Sequence, residues 1–138
     1  MAYGSMLADT FQSSTANTAP VIKDGNSAEI GQVCKAWINF DGTLSTPIAA
    51  RASFNMSSVT KNGTGDYTVN FTISMADANH SPMYVSGRGD ATNNYGFQIY
   101  PSATYGSAMT ALTVRVVSYI QSTSAAKDGL YNNLSVFR

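Results

Sequence analysis

Residues 57–73, SSVTKNGTGDYTVNFTI, carry the pattern that decides the fold. Every second position in the later half of this stretch holds a large apolar residue: Tyr67, Val69, Phe71 and Ile73. A two-residue period is that of a strand with one buried and one solvated face. The polar run KNGTGD at residues 61–66 contains glycines that tolerate a chain reversal, and residues 56–60 read as an approaching strand. The stretch therefore predicts a hairpin on an antiparallel sheet.

Strand patterns recur along most of the remaining chain. They fall at residues 21–26, 33–40, 48–56, 83–85, 95–99, 110–119 and 129–138. About six to eight strands at this spacing, with no convincing helix, are typical of an antiparallel sandwich. We therefore predict an all-β protein, an antiparallel β-sandwich of jelly-roll-like type, preceded by an extended N-terminal segment.

The strand predicted at residues 33–40 is apolar on both sides. One alternating set comprises Cys34, Ala36, Ile38 and Phe40, and Trp37 lies on the opposite side. A strand of this kind belongs to a sheet that is covered on both faces. The cover on each face could be a second sheet or another subunit.

The composition limits the possible partners. The chain has 138 residues, of which 12% are charged, with eight basic and eight acidic groups. Nucleic-acid binding draws on clustered Lys and Arg, so we expect no nucleic-acid partner. No stretch approaches the roughly 20 apolar residues of a membrane span, so we expect no membrane insertion. Low charge also favours packing against copies of the same chain, because few ions must lose their water.

Residues 1–31 differ from the rest of the chain. Apolar residues are sparse there and follow neither a helical nor a sustained strand period. Such a segment cannot bury a core of its own, so it is either disordered or ordered only by contact with a neighbouring subunit or another protein, and we expect it to join the head to such a partner. Met6, Leu7 and Phe11 are the candidate anchors for this attachment or subunit contact. Residues 32–138 are expected to form the β-sandwich head.

Motifs for catalysis or metal binding are weak. The single histidine, His80, lies in the polar run DANHSP at residues 77–82, where a solvated loop residue is expected. No nucleophile signature accompanies it. A structural zinc site needs about four Cys or His ligands, whereas the chain has one of each, His80 and Cys34. We expect no catalytic residue, no metal site and no cofactor, and the chain is not expected to be an enzyme.

A candidate receptor site lies in the open region at residues 86–108. Tyrosines and asparagines there could bind a sugar by stacking and by hydrogen bonding: Asn93, Asn94, Tyr95, Tyr100 and Tyr105. Tyr84 and Asn79 could join this set from nearby. Tyrosines of sandwich sheets also pack in the core or against a neighbouring subunit, and both interpretations remain open.

Three blocks of sequence carry a resemblance to a known family. CKAWINFDGT at residues 34–43, IAARASFN at 48–55 and VTKNGTGDYTVNF at 59–71 resemble a domain common in bacteriophage tail-fibre proteins. LADTFQSS at residues 7–14 is similar to the segment that precedes this head domain, and residues 114–117 and 134–138 are similar to its later strands.

This resemblance implies a virion structural protein, assembled as a homotrimer with a β-rich head. The N-terminus lacks the basic-then-apolar pattern of a signal peptide, so we expect the chain to be made in the cytoplasm of the host bacterium. A tail-fibre or appendage component that contacts the host cell surface, with a surface glycan as a possible partner, is the expected function. The alternative is a capsid decoration or head-fibre protein that stabilises or decorates the particle. At 138 residues the chain is short for a complete fibre with a long shaft, so we expect a fibre tip or a small appendage attached to a tail or to the capsid.

Overall fold

A computed structural model describes residues 22–87, 95–99 and 109–138 of the chain. The chain divides after Val33 into two units, Met1–Val33 and Cys34–Arg138. In the described part of the first unit, β1 (Ile22–Lys23) pairs with β2 (Glu29–Gly31) in antiparallel fashion. The Asp24 carboxylate closes the turn between them by accepting hydrogen bonds from the backbone N–H groups of Asn26 and Ala28, each at 2.9 Å.

The second unit contains the other described strands. They are β3 (Cys34–Phe40), β4 (Ala50–Phe54), β5 (Met56–Gly63), β6 (Asp66–Phe71), β7 (Ser81–Gly87), β8 (Tyr95–Ile99), β9 (Thr113–Ile120) and β10 (Tyr131–Phe137). They form two four-stranded antiparallel sheets, with the orders β4–β3–β10–β7 and β5–β6–β9–β8. The predicted all-β, antiparallel sandwich is confirmed. No helix in the described ranges is long and apolar enough to cross a bilayer.

The core lies between the two sheets and follows the predicted alternation. Ala36, Ile38 and Phe40 of β3 face Tyr67 and the other buried residues of the second sheet. The rings of Phe40 and Tyr67 meet edge to face, with centroids 5.2 Å apart. Full burial of one large apolar side chain contributes roughly 1.5–3 kcal/mol, so each large residue of this layer stabilises the sandwich.

Two positions at strand ends depart from the predicted alternation. Ile73 belongs to the predicted alternating apolar set, and Leu112 lies in the strand predicted at residues 110–119, but both side chains are about half exposed. The strand β6 ends at Phe71, and the Ile73 N–H donates to the Asn55 side chain at 2.7 Å rather than to a neighbouring strand. Leu112 precedes β9. Periodicity alone does not show where the pairing of a strand stops.

Asn55 is the corner at which the chain passes from one sheet to the other. It is the single residue between β4 and β5, which belong to different sheets, and its φ of 54° lies in the left-handed region. Asn tolerates this conformation better than most residues. Its side-chain amide donates to the carbonyl groups of Lys35 at 3.2 Å and Ile73 at 3.1 Å. These bonds fix the direction of the crossover.

Gly65 shapes the turn of the central hairpin between β5 and β6. Its φ is 68°, and a Cβ added there would overlap the Ser118 carbonyl oxygen and lie 2.8 Å from the backbone of Lys127. Gly63, two residues earlier, has no atom within 4 Å of such a Cβ. The same turn therefore contains one glycine that the fold requires and one that it does not.

We expect Gly65→Ala to destabilise the protein by at least about 2 kcal/mol, because left-handed strain adds to a backbone overlap. The matched control, Gly63→Ala, should change the free energy of unfolding by less than about 0.5 kcal/mol. Urea unfolding followed by circular dichroism measures both values. Equal effects of the two substitutions would contradict this account of the turn.

Candidate functional site

The outer faces of the two sheets differ sharply in chemistry. On the β5–β6–β9–β8 sheet the outward residues are mainly polar, and many bond one another across the strands. The Arg115 guanidinium donates to the Asp66 carboxylate at 2.8 Å, and Asn62 donates to Asp66 at 3.1 Å and to Thr68 at 2.9 Å. Burial acts to raise the pKa of Asp66, but the bonds from Arg115 and Asn62 outweigh it and hold the pKa below 3.8. This face is suited to contact with water.

The outer face of the β4–β3–β10–β7 sheet carries large apolar side chains beside the uncharged polar residues Asn39, Asn133 and Ser135. We name it the aromatic face and define it by five outward side chains, each between 39% and 65% exposed: Trp37, Phe54, Met83, Val85 and Tyr131. The inner face of the same sheet is covered by the second sheet. The sequence predicted that both faces of β3 are packed against other residues. Among the described residues, only the inner face is packed in this way.

Strand register brings these residues together. Trp37 pairs with Phe54 of β4 and with Ser135 of β10, and Ser135 pairs with Met83 of β7. These residues form one row across all four strands. The neighbouring row contains Ala52, Asn39, Asn133 and Val85. None of the eight positions in these two rows carries a charged side chain.

Arg51 lies at the Tyr131 end of the aromatic face. Its guanidinium carbon is 4.8 Å from the centroid of the Tyr131 ring, within the range of a cation–π contact. The same group donates to the Leu130 carbonyl at 2.8 Å and pairs with the Asp41 carboxylate at 3.0 Å. The charge at this edge is therefore balanced, and the ring is held in place.

Two amides lie within the apolar surface. The Asn39 side chain donates to the Asn133 side chain at 2.6 Å across β3 and β10. Amides at this position can also bond a group that approaches from outside. The face therefore offers large apolar contact area, ring stacking and a small number of directed hydrogen bonds, which are the features of a binding surface.

A polar cluster closes one end of the sandwich. The Asp128 carboxylate accepts hydrogen bonds from Lys61 at 2.6 Å, from the Gly65 N–H at 2.7 Å and from the Tyr67 hydroxyl at 2.8 Å. The Gly42 carbonyl also accepts from Lys61 and Tyr67. Burial acts to raise the pKa of Asp128, but the bonds from Lys61, Gly65 and Tyr67 hold it below 3.8. This cluster joins three loops.

Tyr84, considered at first as a sugar-binding residue, belongs to the core. It is buried, and its hydroxyl donates to the Asn132 side chain at 2.7 Å, where Ser86 also donates at 2.9 Å. Its ring meets Phe97 edge to face at 6.3 Å. Burial raises the pKa of the Tyr84 phenol, so the hydroxyl remains a donor. The interpretation of core packing is the correct one for this tyrosine.

The expectation for His80 was also wrong. The side chain is buried, not solvated; its Nε2 lies 3.0 Å from the Thr110 carbonyl, and its ring meets Phe71 edge to face at 5.5 Å. The loop before it is held against the sandwich because the Met75 N–H donates to the Ala111 carbonyl at 2.7 Å. A polar local sequence did not reveal this tertiary contact.

Most of the residues predicted as sites lie outside the described ranges. These are Met6, Leu7 and Phe11 for attachment, and Asn93, Asn94, Tyr100 and Tyr105 for a receptor. Tyr95 begins β8, where its backbone pairs with Ile120. Sequence reasoning missed Phe54, Met83, Val85 and Tyr131, although the two-residue spacing of Met83 and Val85 is visible in the sequence. Within the described residues no group of three or more His, Cys, Asp or Glu could hold a metal ion.

Comparison with known proteins yields a structural neighbour but no family. No family model and no curated protein matches the chain. A solved bacteriophage structure, the phiAB6 tailspike in complex with oligosaccharides of Acinetobacter baumannii surface polysaccharide, aligns with 96% of this chain at 17% identity and a TM-score of 0.46. The chain spans 30% of the length of that tailspike chain. Likeness at this level assigns neither a family nor a function.

The Asp128 cluster generates a pH prediction. Because the pKa of Asp128 is lower in the folded protein than the ordinary 3.8, its contribution to stability is present above about pH 4 and is lost as the pH falls through the folded value. Asp128→Asn should lower stability at pH 7 by about 1–3 kcal/mol, since Lys61 loses its charged partner. The difference between the variant and the wild type should shrink below pH 4.

Thermal unfolding between pH 2.5 and pH 7 measures this dependence. Asp24→Asn is the control, because the amide oxygen can still accept the two turn hydrogen bonds that Asp24 accepts. Its effect should stay under about 0.5 kcal/mol. A difference between Asp128→Asn and the wild type that persists unchanged to pH 2.5 would be inconsistent with this role of the Asp128 charge.

Proposed function

We propose that this chain is a structural component of a bacteriophage virion, the head of a tail fibre or another appendage that contacts the surface of the host bacterium. The observation that carries the proposal is the aromatic face. A sandwich with one polar outer face and one apolar outer face is built to dock against other protein. The side chains of the aromatic face can bind a partner through apolar contact, ring stacking and hydrogen bonds.

The resemblance of three sequence blocks to tail-fibre domains supports the same proposal. These blocks form β3, the region of β4 and the β5–β6 hairpin, at residues 34–43, 48–55 and 59–71 respectively. They contribute to both sheets and include Trp37, Phe54 and Tyr67. The blocks therefore coincide with the centre of the sandwich and with half of the row that crosses the aromatic face.

Host contact is proposed to involve a surface glycan. The candidate residues remain Asn93, Asn94, Tyr95, Tyr100 and Tyr105, whose amides and rings suit sugar hydroxyls and sugar faces. A homotrimer would present three such sites, and linked sites convert millimolar contacts into durable attachment. In this arrangement Met6, Leu7 and Phe11 would attach the head to the particle or to a neighbouring subunit.

The first test is binding of the fluorescently labelled full-length protein to cells of the host bacterium and, separately, to capsids of the phage. We expect saturable binding to cells, and loss of that binding after periodate oxidation of the surface sugars. Binding to capsids but not to cells would instead support the alternative, a capsid decoration or head-fibre protein. A protein that binds neither would overturn the virion assignment.

Point variants locate the host contact. Asn93→Ala combined with Asn94→Ala should weaken cell binding at least about tenfold if these amides bond the glycan. Asn26→Ala, an exposed change of the same type in the β1–β2 turn, is the control and should bind as the wild type does. Full binding by the double variant would exclude these two residues as the receptor site.

A further inference from the structure

We propose that the aromatic face is the surface through which copies of this chain bind one another in a homotrimer. The inference deepens the self-association part of the proposed function and does not depend on host contact. Its starting point is the strand β3, whose two sides are both apolar. Ala36, Ile38 and Phe40 on the inner side are covered by the other sheet, whereas Trp37 on the outer side is 39% exposed.

The size of the exposed surface exceeds what scattered apolar residues produce. Five large side chains, 39–65% exposed, lie on one face of the sheet, and together they leave on the order of 500 Å² of apolar side chain open. Ser135 and Asn133 of β10 lie between Trp37 and the β7 residues and are uncharged. Single exposed apolar residues need no explanation, but an accumulation of this size on one face indicates an interaction site. A stable interface takes about 800 Å² per partner, and the surrounding polar residues can supply the rest.

The composition of the face is that of a protein interface. Aromatic residues, Met and Arg are enriched at such interfaces, whereas Lys, Glu and Asp are depleted from their centres. Here the central strands β3 and β10 contribute Trp37, Asn39, Ser135 and Asn133, none of which is charged. Met83 and Val85 lie beside them on the edge strand β7, and Arg51 lies at one end with its charge balanced by Asp41. Lys35, two positions before Trp37, falls at the other end by strand alternation. Removal of water from the centre of the face therefore leaves no unpaired charge there.

Charge points to a second copy as the occupant. A patch that received a charged partner would carry the opposite charge, yet the two central rows carry none. The chain itself has a formal net charge of zero, so two copies do not repel one another. Among the described residues, the polar face of the β5–β6–β9–β8 sheet offers no comparable apolar area, so we infer that the aromatic face of another copy is the complementary surface.

The width of the sheet also fits an assembly of three copies. Four strands at about 4.8 Å spacing make a face roughly 19 Å wide. Three such faces around an axis would enclose a triangular prism, and each sheet would lie about 5 Å from that axis. Packed sheets lie about 10 Å apart, so each contributes side chains to a depth of about 5 Å. Large residues such as Trp37, Phe54 and Met83 would fill that space.

The test uses the full-length protein and two aspartate substitutions of exposed strand residues. Met83→Asp places a charge on the aromatic face, and Thr60→Asp places the same charge on the polar face of the other sheet. Light scattering on a sizing column should give a mass near three times 14.6 kDa for the wild type and for Thr60→Asp. Met83→Asp should run near 14.6 kDa and raise the dissociation constant at least about 100-fold.

A second readout does not depend on any variant. Trp37 is the single tryptophan, so its emission reports on this face directly. Dilution of the wild type should shift the emission to the red and increase quenching by acrylamide, as the ring becomes exposed. If the segment at residues 1–21 of the same chain covered the face instead, neither property would change with dilution, and the inference would fail.

Two results separate this inference from the proposed function. A wild type that is monomeric at about 100 μM, or a Met83→Asp protein that associates as the wild type does, overturns the aromatic face as the self-association surface, even if cells are bound. An oligomer that Met83→Asp dissociates, but that binds neither cells nor capsids, supports the inference and overturns the virion role.

Discussion

The carboxylate of Asp128 holds together the end of the sandwich at which the central hairpin turns. The Tyr67 ring is fully buried against Phe40, and its hydroxyl donates to Asp128 at 2.8 Å. A buried hydroxyl without a partner would cost roughly 1–3 kcal/mol. Burial and the neighbouring Asp128 carboxylate raise the pKa of the Tyr67 phenol, so it remains a donor. The apolar core therefore depends on two acceptors from loops: the Asp128 carboxylate, from the loop that connects β9 to β10, and the Gly42 carbonyl, from the loop that connects β3 to β4.

Local pattern predicted the fold class because strand alternation is a property of the chain itself. Tyr67, Val69 and Phe71 are buried as their spacing indicated, and the hairpin turns at the glycines. The failures occur where a distant segment decides the outcome. Ile73 bonds to Asn55 instead of a ladder partner, and His80 is buried against Phe71 although its neighbours in sequence are polar.

The candidate site was less accessible to sequence reasoning for a related physical reason. Trp37 was recognised as apolar on the outward side of its strand, but its companions come from β4, β7 and β10. Which strands are neighbours is set by the packing of the whole sandwich, in which β10 inserts between β3 and β7. Residues that are far apart in sequence, such as Phe54 and Met83, therefore share one row only once the sheet order is known.

The pair of amides at Asn39 and Asn133 gives the aromatic face a property that apolar area alone lacks. Apolar contacts are non-directional, so two flat apolar surfaces can slide over one another at little cost. An amide that is desolvated without a partner costs about 1–3 kcal/mol. An arrangement of two partners is therefore disfavoured when it buries this pair of amides against apolar groups and leaves their remaining donors and acceptors unpaired. The apolar residues supply the tendency to associate, and the amides select one alignment among many.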